Sequence, residues 1–393
     1  MSRSFHFFLW TRLLGTAANQ MLLVALGWQI YDLTSSAFDL GLVGLLQFLA
    51  TLAFTIPAGQ LADRLDRRVV LGASLSMQGF VALWLAWAAH QGFAGRELIF
   101  GLSIVLGLAR ALQMPAVQSI LPSLVPRADL SRAMAMSSAS NTIAVIGGPA
   151  IGGFLYAAGA PVVYATCFAL NLVSLVTVAS IPRMLRASKE PASWSSVFAG
   201  VGFLWNHKVA LGAISVDLFA MLLGSVTALM PIYAKDILHV GPSGLGLLRA
   251  APAIGALVVA ITLARVPMNR KVGKRLLVAV AIYGLTVVVF AVSHNFLLTL
   301  VALAIGGAAD MVNVVIRQTL VQLETPDEMR GRVSAVNGTF ISASNQLGEF
   351  RAGATAEWLG PHASALLGGI GTVLVVAMWW KLFPALATRD KLQ

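Results

Sequence analysis

The chain of 393 residues is 58% hydrophobic and only 11% charged, with a mean hydropathy of +0.82; this composition excludes an ordinary soluble globular protein. Its formal net charge of +11 does not mark a nucleic-acid binder, because Lys and Arg collect on alternate loops between apolar runs rather than in one patch. Cys167 is the single cysteine, so an intrachain disulfide is excluded too.

Apolar runs recur along the whole length, each sufficient to cross ~30 Å of hydrocarbon as a helix, and about twelve are counted. Arg3 and Arg12 lead into an apolar segment with no small-residue cleavage pattern behind it, which predicts a retained first span over 8–31. A short outer turn follows from Asp32 to Phe38. The second span reaches Ala62, the third covers 69–89, the fourth 98–121, the fifth 131–158 and the sixth 162–181. From Pro182 to His207 the chain turns polar, and a linker with a surface helix ending near Trp205 is predicted. Further spans are predicted near 208–234, 243–264, 275–292, 296–322, 330–355 and 362–383.

An all-α integral membrane protein follows, with two pseudo-symmetric six-helix bundles at 1–181 and 208–393 joined by the cytoplasmic linker 182–207. Only Arg96 and Lys235 fall on the opposite loops, and Arg110, Arg249, Arg317 and Arg351 fall inside spans. The positive-inside rule therefore places both termini in the cytoplasm. Shifting the chain by 200 residues pairs Gly107 with Gly307, Pro126 with Pro326, Arg132 with Arg332, Gly148 with Gly348 and Gly153 with Gly353. These positions punctuate helix ends and close contacts, so the halves read as a duplicated unit of the parallel transporter kind. The same shift sets Arg110 on Asp310, opposite charges near the middle of spans four and ten.

Ionisable residues inside a span are expensive unless partnered or wetted, and they mark ion and substrate paths. Asp310 and Asp217 rank first as proton carriers, ahead of Glu349. Glu349 and Arg351 are two apart on a helix, point in different directions and each need a partner from elsewhere. Arg317 lies near the cytoplasmic end of its span and is expected to snorkel. Trp28, Phe219 and Met221 are candidate wall residues of the pathway, with Asp32, Gln113, Asn141, Arg249, Asn313, Asn345 and Arg351 as polar candidates along it.

Four stretches carry finer signals. The first is Gly59-Gln-Leu-Ala-Asp63-Arg64-Leu-Asp66-Arg67-Arg68, in which Gly59 is read as admitting a neighbouring helix and Asp63 as facing a helix N-terminus. The second is Arg110-Ala-Leu-Gln113. In the third, Gly148-Pro149-Ala-Ile-Gly152-Gly153, a proline opens the backbone ladder and small residues permit tight, sliding helix contact. The fourth is Asn345-Gln-Leu-Gly348-Glu349-Phe350.

With these stretches the whole chain resembles the major facilitator superfamily, and within it the enterobactin-exporter-like branch of bacterial siderophore and drug efflux. The resemblance implies that the loop at Gly59, Asp63, Arg64, Arg67 and Arg68 gates, that Arg110 takes part in proton coupling with Asp310, Asp217 or Glu349, and that Gly148, Pro149, Gly152 and Gly153 mark an antiporter. It further implies a central site between spans 1, 4, 5 and 7, 8, 10, 11. The chain departs from the pattern at Asp66, Met114 and Ala144, where glycine is usual. The matching second-half loop, 265–275, keeps its positive charge and has no acid.

The expected function is export of a small amphipathic molecule, a siderophore or drug-like compound, by proton antiport across a bacterial inner membrane. A proton-coupled importer or a lysophospholipid flippase on the same fold is the alternative. An embedded enzyme or non-transporting receptor has least support, since no Gly-x-Ser-x-Gly, phosphate-loop, His-Glu-x-x-His or paired-Cys motif occurs. The six His are scattered, so neither a metal nor a cofactor is expected. The partners expected are a small-molecule substrate, protons and the lipid bilayer, with no nucleic acid, and the protein is expected to be monomeric.

Overall fold

Local signals in the chain fix where its helices start and stop. Asp66 ends the charged loop that begins at Leu65 by accepting a hydrogen bond from the Arg68 amide (3.1 Å), the N-cap that the next helix needs. Gly92, at φ +76°, closes that helix in the left-handed region that glycine enters without strain. Asn295 caps a later helix through the Leu298 amide (3.0 Å).

The computed structural model describes residues 3–183, 201–205, 207–266 and 270–390. Among these residues the long helices are α1 (Arg3–Thr34), α2 (Ala37–Arg64), α3 (Arg67–Gln91), α4 (Arg96–Leu124), α5 (Leu130–Tyr156), α6 (Ala160–Ala179), α7 (Lys208–Gly224), α8 (Gly241–Arg265), α9 (Val272–Val292), α10 (Phe296–Glu324), α11 (Asp327–Leu359) and α12 (Pro361–Leu382), with a short α13 (Pro384–Ala387). Ten segments of the described residues are long and apolar enough to cross a membrane. The exceptions are α5 and α11. Ser137, Ser138 and Asn141 dilute the apolar run of α5, and Glu349 and Arg351 that of α11, as suits helices that face a polar path. Most of the predicted linker, 184–200 and 206, lies outside the described residues, as do 267–269 of the second-half loop; residues 201–205 are helical.

The chain divides into two compact units. The first comprises Met1–Ser35, Leu42–Ala192 and Val240–Ala250, and the second Ser36–Gly41, Ser193–His239 and Ala251–Gln393. The first turn of α2 and the first turns of α8 are thus grouped with the other half of the sequence. In the first unit Phe5, Phe8, Leu71, Leu75, Ile120 and Val178 form an apolar core. In the second, Val216, Leu276, Leu277, Ile316, Leu320 and Trp379 do the same. Prolines inside α2, α4, α5 and α8 interrupt their ladders at Pro57, Pro115, Pro122, Pro149 and Pro252.

The span predicted at 208–234 differs in one respect. Its helix stops at Gly224, passes through extended Ser225, and resumes as short turns from Thr227 to Ile237.

Candidate functional site

In the first unit α1, α4 and α5 wall a cavity of 620 Å³. It contains the predicted residues Arg110, Gln113 and Asn141, and it adds Arg12, which sequence reasoning had counted with the N-terminal cytoplasmic charges. Arg12 donates to the Ser137 hydroxyl (2.6 Å), which ties α1 to α5. Gln113 accepts from the Gln78 amide (3.4 Å), itself held by Ser74 (3.2 Å). Ser74 in turn donates to the Ala109 carbonyl (2.7 Å), which fixes α3 against α4 one residue before Arg110.

The charged loop between α2 and α3 binds helix ends. Arg67 donates to the Ser119 carbonyl (2.8 Å) and the Ser123 hydroxyl (3.0 Å) in the last turns of α4. Arg68 reaches the Ile181 carbonyl (3.0 Å) just beyond α6 and pairs with Asp66 (2.9 Å). Cations at helix C-termini complement the dipole there, so these residues staple three helix ends together. Arg64 is the last residue of α2. The side chain of Asp63 lies outside the described residues. No described atom lies within 4 Å of where a Cβ on Gly59 would sit, so the close approach expected there is not made.

Close approach occurs instead on α5. A Cβ on Gly148 would strike Gln20 and one on Gly152 would lie 2.9 Å from the Met21 Cα, both on α1. Gly153, on another face, meets the Pro242 carbonyl and Gly246 at the start of α8. Pro149 is buried between these faces.

The second unit holds a buried polar cluster. Asn313 of α10 donates to Asp217 of α7 (2.5 Å), and Arg317 pairs with the other oxygen of Asp217 (3.4 Å). Arg317 also donates to Asn337 of α11 (2.9 Å). Asp217 is 3% exposed and Arg317 1%. The expectation that Arg317 snorkels is therefore corrected: it is buried and held by a carboxylate and an amide. Asp310, one turn before Asn313, lies within electrostatic reach of Asp217 and Arg317. The buried Nε of Arg317 and Oδ1 of Asn313 take no hydrogen bond, so the cluster is not fully satisfied.

Arg351 serves the break in α7. It donates to the carbonyls of Leu222 (3.1 Å) and Leu223, while the Tyr283 hydroxyl donates to that of Gly224 (3.1 Å). These carbonyls end a helix inside the membrane, where each needs a donor. Arg351→Ala is expected to lower the stability of the solubilised protein by about 1–2 kcal/mol, with Arg351→Lys intermediate. Thermal unfolding in detergent measures this, and an unchanged midpoint would remove Arg351 from the role.

The remaining candidates are dispersed. Trp28 is buried against Tyr156 (6.3 Å between rings), and Asp32 is exposed near the end of α1. Phe219 packs on Trp379 (5.2 Å). The Met221 carbonyl accepts from the Ser225 amide (3.1 Å) at the α7 break. Asn345 and Glu349 are half-buried on α11, and Arg249 half-buried on α8.

Arg317, Asn337, Tyr283 and Arg12 were missed as site residues. A signal existed for Arg317: Asp310, Asn313 and Arg317 stand at i, i+3 and i+7, one face of a helix. Asn337 and Tyr283 carry no such pattern.

A sequence profile of the Major Facilitator Superfamily matches residues 8–349. The chain is 26% identical over 356 residues to the enterobactin exporter EntS of Citrobacter koseri, covering 90% of this chain and 85% of that protein. The EntS of Shigella dysenteriae is 25% identical with the same coverage. Among solved structures, the nucleoside transporter NupG superposes with a TM-score of 0.75 at 15% identity, over 97% of this chain and 99% of that one. A bacterial homologue of the iron transporter ferroportin gives 0.73 at 16% identity, over 99% and 100%. These likenesses give the fold, a multi-pass helical membrane protein. With the profile spanning most of the sequence, the chain belongs to the Major Facilitator Superfamily and is a secondary transporter, not an enzyme.

Proposed function

We propose that the protein exports a small amphipathic molecule, a siderophore or drug-like compound, across a bacterial inner membrane in exchange for protons, with both termini cytoplasmic. Alternating access of the halves 1–181 and 208–393 would carry the substrate. The observation that carries the coupling is the Asp310, Asp217, Asn313 and Arg317 cluster, in which a carboxyl stands beside a buried and incompletely satisfied ion pair. A proton taken up by either acid removes one charge from the cluster and changes what holds Arg317. A buried network that has a second arrangement within reach is the bistable element that coupling requires. The outward direction is supported by Gly148-Pro149-Ala-Ile-Gly152-Gly153 and by relatives named as exporters.

The test is reconstitution of the whole protein in liposomes under an imposed pH gradient, with siderophores and dyes as substrates. Asp310→Asn is expected to reduce gradient-driven movement to the level seen without a gradient while substrate still binds. Normal gradient-driven transport by that variant would place coupling elsewhere, and wild-type transport that ignores the gradient would end the antiport reading.

A further inference from the structure

The cavity of the first unit is uncommon in its charge. Its volume, 620 Å³, lies within the ~300–1,000 Å³ of pockets that hold drug-sized ligands. Two of its lining residues are cations, Arg12 and Arg110, and none is an acid. Among the described residues Arg12 is held by a neutral hydroxyl, that of Ser137. Arg110 has no hydrogen-bond or ion-pair partner among the described residues. A guanidinium cannot discharge itself by losing its proton, so two cations with no acid beside them in the wall face one space, and a counter-charge from a ligand would be favoured there.

The rest of the wall suits an organic ligand. Asn19, Gln20, Gln113 and Asn141 supply amide donors and acceptors. Met114 and Met134 turn 57% and 56% of their surfaces outward, and thioether side chains adapt to apolar shapes of more than one kind.

We infer that the cavity between α1, α4 and α5 binds an amphipathic organic anion, with Arg110 and Arg12 engaging its carboxylate or sulfonate group and the two methionines covering its apolar body. This rests on the export reading, because it takes the cavity as the place where the exported molecule binds.

Fluorescein and rhodamine 123 test it, being xanthene dyes of similar size and opposite charge. Fluorescence anisotropy on the whole solubilised protein is expected to show binding of fluorescein and weaker or no binding of rhodamine 123. Arg110→Gln is expected to weaken fluorescein by roughly ten- to hundredfold, the loss of one charge-assisted contact, with Arg110→Lys intermediate. Removing Arg110 orphans no partner, so folding is not at stake. Asn141→Asp, which adds a negative charge at nearly constant shape, is expected to shift preference toward rhodamine 123. Equal or preferential binding of rhodamine 123 to the wild type, no binding of fluorescein, or a fluorescein affinity indifferent to Arg110→Gln would each overturn the inference. The export reading is read separately, from flux in proteoliposomes: fluorescein that binds through Arg110 but does not follow a pH gradient would keep the anion site and remove the antiport mechanism.

Discussion

Asp217→Asn is expected to destabilise the protein more than Arg317→Met, although the two substitutions break the same contact. The pair is buried, with Asp217 3% and Arg317 1% exposed, and removing one partner of a buried pair costs about 3–5 kcal/mol because a charge is left uncompensated. The two leftovers are not equivalent. Without Arg317, Asp217 can take up a proton and remain as a neutral acid hydrogen-bonded to Asn313. Without the Asp217 charge, Arg317 keeps its own, bonded to the neutral Asn337 amide, with its Nε already unsatisfied and the Asp310 carboxyl within electrostatic reach but not bonded to it. The double variant Asp217→Asn with Arg317→Met is expected to recover most of the loss, since neither charge then remains. Unfolding midpoints in detergent give the ranking. Equal losses in the single variants, or a double variant as weak as the sum of both, would show that the pair contributes by shape rather than charge.

That ranking concerns a residue whose place the sequence could have disclosed and did not. Counting residues from the end of an apolar run put Arg317 near the membrane edge, whereas its helical register with Asp310 and Asn313 put it on the interior face. Register is a property of one helix and can be read from spacing; depth depends on what the other helices place at the same level. Partners from other helices have no such sign. Asn337 and Tyr283 touch Arg317 and Gly224 only because α11 and α9 pass there. The spans and the cavity residues Arg110, Gln113 and Asn141 were legible because apolar length and mid-span polarity are local properties of the chain, whereas the compact units take the starts of α2 and α8 from across the predicted halves.

The second-half loop shows the same limit. It has no acid of its own, and Lys271, at φ +53°, offers α9 no side-chain cap. The acid comes from the far end of the chain. Asp390 accepts from the Lys271 amide through its carboxylate (3.1 Å) and from the Val272 amide through its carbonyl (3.3 Å), and Arg389 pairs with Glu324 of α10 (2.9 Å). In the first half Asp66 caps α3 from within the loop. Both loops thus meet the orphan-amide requirement of a helix N-terminus, one from within the loop and the other from a residue more than a hundred positions further along the chain.

The glycines of α5 allow a sharper separation between packing and transport. Gly152→Val is expected to lower stability by about 1–3 kcal/mol, toward the upper end, because the new Cβ would meet the backbone of Met21 rather than a side chain that can turn aside. It should also weaken substrate binding, since α1 and α5 both line the cavity through Gln20, Arg12, Asn141 and Met134. Gly153→Val is expected to act differently. Its Cβ would press on Pro242 and Gly246 at the start of α8, away from α1, so binding should persist while the turnover that depends on sliding of α5 against α8 is lost. Gly59→Ala supplies the contrast: with nothing within 4 Å of the new methyl, and alanine favoured over glycine in a helix by roughly 0.5–1 kcal/mol, it should leave stability unchanged or raised. Equilibrium binding and gradient-driven flux measured on the three variants decide the matter. Loss of binding in Gly153→Val would make the pattern on α5 a matter of cavity shape, whereas a loss confined to flux would make it a bearing surface on which the helices move.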